Sequence, residues 1–343
     1  MNTEWQQFLQ SQGAVLDAQG LPAFTDAPLL PDCALSALVD QGLIRASGED
    51  AQSFLQGQLT NDIKLINPEH THVSGYCSPK GRMLALFRVF QHGDDLFLML
   101  PRERLEPVLK RLSMFVLRSK VKLSDASDEL VVAGIAGDCA PALLPVAPEG
   151  DNSGAAADGL TVLRLPGDRA RFLVVGEPAT VQGWWQQASS QATPAGQDCW
   201  PLLEIRAGLP SVVDATAEAF VPQMTNMQLV NGVSFTKGCY TGQEVVARMQ
   251  YLGTLKRRMY RVHIASDDCP APGTELFSPS SASGQGAGKV VDARPSPLGG
   301  CEALVVCQIS SMDAGDLRLQ DADGPELSLA DLPYAFESKE QAG

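Results

Sequence analysis

Between residues 71 and 135, strand-like runs and amphipathic helices alternate without the regular strand–helix rhythm that builds a parallel sheet. Strands are expected at 71–77 and from Met83 to Phe90. A turn at His92-Gly93-Asp94-Asp95 leads into Leu96 to Leu100, so the last two strands form a hairpin. Pro101 opens a helix with Leu105, Val108, Leu109 and Leu112 on one face, and further strands are expected at 119–124 and 129–135. Upstream, Ala51, Phe54, Leu55 and Leu59 recur at helical spacing and predict an amphipathic helix over 48–59. This order specifies an α+β fold class.

Residues 145–159 are rich in Pro, Gly, Ala and Asp and read as a mobile loop. A hairpin over 160–175, a helix around Trp184-Trp185 and a short helix from Trp200 to Arg206 follow, the last closed by Gly208 and Pro210. The segment 208–241 shows little periodicity, and a loop of that length in a compact domain points to function. After residue 254 the chain changes character. Arg258 to Ile264, Thr274 to Phe277, Gly288 to Asp292, Ala303 to Ile309, Leu317 to Gln320 and Glu326 to Leu329 are short strands between Pro/Gly/Ser turns, the pattern of a small β-barrel or sandwich. Residues 337–343 read as a frayed tail. A chain of 343 residues exceeds one comfortable core and implies two or three domains.

The formal charge of −14 makes a grip on a nucleic-acid phosphate backbone unfavourable, so no direct nucleic-acid contact is expected unless a local basic patch overcomes the field. No run of eighteen apolar residues occurs, so no membrane span is expected, and the N-terminal residues lack the pattern of a secretory leader. Eight cysteines are scattered without a C-x-x-C pair, which argues against a zinc or iron–sulfur framework and for reduced thiols in a cytosol, hence a cytoplasmic protein. His70, His72 and Cys77 are close in sequence, but no metal site is assigned to them. Gly284-Gln285-Gly286-Ala287-Gly288-Lys289 looks like a phosphate loop, but its glycine spacing is wrong and Val290 stands where Ser or Thr is needed.

The strongest chemical signal is Lys237-Gly238-Cys239-Tyr240-Thr241-Gly242-Gln243-Glu244. Thr241 and Glu244 have the spacing of a capping box, and Val245, Val246 and Met249 continue at helical spacing. Cys239 then faces the positive end of a helix dipole with the Lys237 ammonium nearby, and both favour thiolate. Gly238 and Gly242 let backbone or ligand come close. The competing reading is a buried, inert cysteine that only packs.

This octapeptide resembles the signature of the YgfZ family, folate-binding proteins related to the aminomethyltransferase (T-protein) of the glycine cleavage system. Further matching segments are Phe54 to Asp62, Tyr76-Cys77-Ser78-Pro79-Lys80-Gly81-Arg82, Arg206-Ala207-Gly208-Leu209-Pro210 and Phe220 to Asn226, together covering roughly 40–262. The resemblance implies an aminomethyltransferase (GcvT)-like three-domain arrangement with a C-terminal β-barrel. The corresponding division is 1–45 plus about 120–240 as folate-binding core segments, 46–119 as a helix and hairpin part, and 254–336 as the barrel. The implied cofactor is tetrahydrofolate or a one-carbon derivative. Trp200 is the candidate stacking face, Gln223 and Asn226 candidates for the pterin edge, and Arg206 and Arg248 further folate-site candidates. Core packing for Trp200 and turn formation for Asn226 are the structural alternatives.

The departures from the relatives also inform. Where aminomethyltransferases carry an aspartate pair, counting from Gly81, this chain has Ala85-Leu86, and Arg206 stands in the stretch where they carry a pterin-binding glutamate. An apolar pair cannot move a proton, so glycine-cleavage chemistry is not expected. The resemblance implies instead support of iron–sulfur cluster assembly or repair, with Cys239 reactive and Lys237 tuning it. Its partners would be iron–sulfur clients such as radical enzymes that modify tRNA. A folate-dependent one-carbon transferase and a non-catalytic folate-binding scaffold remain the alternatives.

Overall fold

The computed structural model describes residues 2–18, 20–281 and 286–336. The proposed tail 337–343 and the first two residues of the glycine-rich run at 284 lie outside them. Among the described residues, three large sheets organise the chain, beside a two-stranded ribbon of 15–16 with 22–23. The first runs in the order 154–157, 160–164, 171–176, 131–136, 34–37, 193–194, antiparallel except for its last pair. Helices Thr3–Ser11 and Pro178–Ala188 close one face through Trp5, Phe8, Leu9, Trp184 and Trp185. Helix Cys199–Arg206 packs on the other face through Trp200 and Leu203, where Phe90 and Phe97 of the second sheet also meet it.

The second sheet is antiparallel throughout, in the order 72–77, 83–92, 95–101, 41–47, 122–125. The hairpin expected at 83–100 is there, as is helix Arg102–Ser113, which buries Leu105, Val108 and Leu112. Strand Gln41–Ser47 spans the division expected after residue 45 and pairs on both sides within this sheet. The third sheet takes all six C-terminal strands, in the order 318–319, 275–277, 288–295, 301–308, 257–264, 327–330. A bridge between Arg318 and Glu326 joins its edges, so the sheet curls on itself.

Four expectations need correction. The helix of 48–59 is shorter, Ala51–Gln56, because strand Gln41–Ser47 runs up to a Gly48 held at φ +106°. The stretch 145–159 is not all loop: Gly154–Ala157 pairs with 160–163 across an Asp158-Gly159 turn with both residues at positive φ, the geometry of a two-residue hairpin. Thr241 does not cap a helix. Helix Gln243–Tyr251 starts one residue later, its N-cap is the left-handed Gly242, and no side chain caps it. Finally, the cysteines are not all free thiols. Cys33–Cys139 and Cys269–Cys301 are paired, with Cα separations of 5.9 and 5.6 Å, inside the range a disulfide can span. Sequence separations of 106 and 32 residues hide both pairs from a reading of spacing alone. Among the described residues no helix is long and apolar enough to cross a membrane.

Candidate functional site

The segment 208–241 has no strand or α-helix, only 3-10 turns at Asp214–Thr216 and Pro222–Thr225. Its backbone polar groups are satisfied by contacts far along the chain, as an irregular buried segment requires. Thr60 Oγ1 donates to Gly232 O at 2.7 Å, Asn61 Nδ2 to Asn231 O at 2.6 Å, and Ser234 N to Thr60 O at 3.0 Å. Gln223 Nε2 reaches Val246 O at 2.7 Å, and Asn226 Nδ2 reaches Met259 O at 2.9 Å. Both side chains are buried stitches between the loop, helix Gln243–Tyr251 and the C-terminal sheet.

Lys237 is the anchor of the cysteine loop. Its Nζ donates to the carbonyls of Gln56, Leu59 and Asn61 at 2.7, 2.6 and 2.8 Å, and it lies 5.2 Å from the centre of the Tyr240 ring. These carbonyls come from the end of helix Ala51–Gln56 and the turn after it, the negative end of a helix dipole. Burial lowers this ammonium from the ordinary lysine value to about 8, with Asp62 working in the opposite direction. The lysine therefore fixes the loop to the backbone; its charge is committed to three carbonyls.

On the far side of the cysteine, Gly242 sits at φ +84°, and a Cβ there would lie 2.5 Å from Ser78 O. A Cβ on Gly81 would likewise lie 2.7 Å from Val245 Cβ. The loop 78–82 thus presses directly on the start of helix Gln243–Tyr251, and only glycine permits the approach. Segments 54–62, 76–82, 220–226 and 237–244, far apart in sequence, converge on one place. What they present is Cys239. It is the exposed one among four free cysteines, and Gly238 beside it has open space where a side chain would stand. Cys77, Cys199 and Cys307 are buried, and burial pushes their thiols up to about 12, 11 and 12.

A separate cavity of about 190 Å³ lies where the three sheets meet. Trp200, Leu86, Val73, Met99 and Leu100 give it apolar walls, and Arg88, Glu204, Asp40, Asp292 and Arg294 give it charge. Trp200 is packed in the core and also lines the cavity. Its ring rests on Gly134, where a Cβ would lie 2.3 Å from Cζ3, and the same indole faces the cavity. Leu86 lines the cavity and Ala85 is fully buried, so no carboxylate comes from this part of the strand.

Of the candidate folate contacts, Trp200 alone lines the cavity. Arg206 points away: Nη2 and Nε grip Glu302 at 2.5 and 3.0 Å, and Arg261 adds a contact at 3.2 Å. Burial works to raise the Glu302 carboxyl, but Arg206 and Arg261 outweigh it and hold it below the usual range. Arg248 faces solvent on helix Gln243–Tyr251. The charged cavity-lining residues Asp40, Arg88, Glu204, Asp292 and Arg294 were not among the candidates from sequence. For two of them a signal was available: an arginine inside the otherwise apolar run 83–90, and a glutamate one helical turn after Trp200.

No residue of 237–244 lines the cavity, but the two places are coupled through strand His72–Cys77. Val73 lines the cavity, Val73 O and Ser74 Oγ hold Asn61 at 3.1 and 2.9 Å, and Asn61 O holds Lys237. Val73, Leu86 and Val246 share one apolar cluster.

No protein-family model matches the chain. Its fold is similar to that of glycine cleavage system aminomethyltransferase T from Bartonella henselae, with a TM-score of 0.71 at 15% identity over 97% of each chain. Among sequences, it is 33% identical to the tRNA-modifying protein YgfZ of Photorhabdus laumondii over 88% of this chain and 92% of that one. It is 31% identical to the YgfZ of Yersinia enterocolitica over 93% and 96%. With this identity sustained along nearly the whole length, and with the cysteine motif assembled as described, the chain belongs to the family of the tRNA-modifying protein YgfZ.

Proposed function

We propose that this protein binds tetrahydrofolate in the cavity walled by Trp200 and uses Cys239 to support assembly or repair of iron–sulfur client enzymes, among them enzymes that modify tRNA. The observation that carries the reading is the pairing of one exposed, rigidly mounted sulfur with a cavity fit for a flat heterocycle. The fit rests on chemistry. Trp200 offers a broad ring face, Gly134 keeps that ring seated, and Arg88 and Glu204 offer a donor and an acceptor to a polar ring edge. A bound tetrahydrofolate would supply a one-carbon carrier with an oxidisable ring. The chain's own residues position it, keep water out with Leu86, Met99 and Leu100, and hold the thiol in solvent reach of a partner protein.

Leu86 in the cavity wall argues against aminomethyl transfer, which needs a carboxylate beside the folate. The test is complementation in cells lacking the endogenous relative, read as activity of an iron–sulfur tRNA-modifying enzyme. Cys239→Ala should fail where wild type succeeds. Wild-type activity from Cys239→Ala would leave only a passive scaffold.

A further inference from the structure

Residues 110–122 run against the acidic character of the chain. They hold five cations, Lys110, Arg111, Arg118, Lys120 and Lys122, and no carboxylate, while the other residues together carry −19 to give the total of −14. Helix Arg102–Ser113 ends here, and a turn leads from it to strand Lys122–Asp125. Leu112 and Val116 pack into the core of the second sheet, while Met114, Phe115 and Leu117 stand out at 60, 41 and 87% exposure. The turn is closed by its own backbone, Phe115 N to Leu112 O at 3.0 Å and Ser119 N to Val116 O at 2.8 Å, so the three apolar side chains form a fixed tip. Leu117 sits at φ +47°, a left-handed conformation unfavourable for leucine and natural for Gly or Asn. A leucine that is both strained and in solvent adds nothing to the core, and its use lies in a contact outside the chain.

We infer that this tip is a peripheral attachment site for an anionic lipid surface. The charge pattern selects that partner. A phosphate backbone of nucleic acid would engage the cations and leave Met114 and Leu117 in water. An anionic bilayer takes both, its lipid phosphates meeting the cations while the apolar tip enters the boundary of the acyl region. Lys110, Arg118 and Lys122 are free of ion pairs among the described residues, and their long stems let the charges stay at headgroup level. Arg111 lies over the Phe115 ring at 5.8 Å, so a cation accompanies the aromatic to the interface. The acids at the margin are already engaged: Glu49 pairs with Lys120, and Asp50 Oδ2 accepts from Lys120 N at 2.7 Å. The acidic remainder of the surface acts only within a Debye length, about 8 Å at physiological salt, and does not set the field at the tip.

The test is sedimentation of the full chain with vesicles of phosphatidylcholine alone and of phosphatidylcholine mixed equally with phosphatidylglycerol, in about 0.1 M salt. Wild type should sediment with the anionic vesicles and partition roughly tenfold or more less onto the neutral ones. The double variant Met114→Gln/Leu117→Asn removes the apolar tip, and Lys110→Gln/Arg118→Gln removes two free cations. Each should lower partitioning onto anionic vesicles roughly tenfold or more. Both variants should melt no lower than wild type, because the altered side chains are exposed and Asn accepts the left-handed turn. Wild type that ignores both vesicles, or binds both alike, overturns the inference, and so does either variant with wild-type partitioning. Without vesicle binding, a wild-type dimer abolished by the apolar variant would overturn it in favour of a second copy of the chain. Likewise, retention of a single-stranded oligonucleotide abolished by the cation variant would overturn it in favour of nucleic acid.

Discussion

Gly134→Ala probes the slot from behind, without substituting any residue that lines it. The new methyl would lie 2.3, 2.5 and 2.8 Å from Cζ3, Cε3 and Cη2 of Trp200. Ordinary carbon contacts are about 3.5–4.0 Å, so the indole must retreat by about 1 Å. The strand carrying Gly134 is central, paired to Leu173 on one side and Ser36 on the other, and cannot give way. The ring moves toward the cavity it lines. Overpacking of this kind costs about 1–3 kcal/mol, which is a few degrees of melting temperature for a chain this size. Tetrahydrofolate binding should weaken by roughly tenfold, because the stacking face is displaced into the slot. The control is Gly183→Ala, on helix Pro178–Ala188 with open space around it, which should raise stability slightly and leave binding alone. Calorimetry and ligand titration on the two variants decide the matter. A Gly134→Ala protein with wild-type melting and wild-type affinity would refute the seating of Trp200 and the slot built on it.

Under native conditions iodoacetamide should label Cys239 first, while Cys77, Cys199 and Cys307 react only after unfolding; peptide mapping that finds a buried thiol labelled first contradicts the site. Lys237→Met leaves three backbone carbonyls without their ammonium donor and should cost about 2–4 kcal/mol in urea unfolding. A cost under about 0.5 kcal/mol would contradict the anchor role. His72 is buried with both ring nitrogens unpartnered, and burial, then His70, Arg88 and Lys237, lowers it to about 3. Below pH 6.5 the unfolded chain takes up a proton that the folded one refuses, so stability falls as pH drops from 6.5 toward 3. The loss is about 2 kcal/mol by pH 5, and His72→Gln should remove that share of the slope; identical slopes would contradict it.

Much of this fold was legible in local pattern. The hairpin at 83–101 and helix Arg102–Ser113 announce themselves by alternation and by a single apolar face. Other features carry local signals too. Asp158-Gly159 is a hairpin turn inside what looked like loop, and Asn2 caps helix Thr3–Ser11 by accepting from Trp5 N at 2.8 Å. The long segment before Cys239 was read as functional because it lacked periodicity, and the structure shows why it can be irregular: Thr60, Asn61, Gln223 and Asn226 satisfy its backbone or tie it down. The anchoring of Lys237 was not legible. Its partners are main-chain carbonyls about 180 residues upstream, and a carbonyl carries no residue-type signature. Likewise the engagement of Arg206 by Glu302, 96 positions away, has no local signature.

Titration of tetrahydrofolate into wild type and Trp200→Ala, by calorimetry, tests the central claim most directly. Saturable one-to-one binding to wild type, weakened roughly 10- to 100-fold in the variant, is the expected result. Absence of binding to wild type, or equal affinity in both, would contradict it.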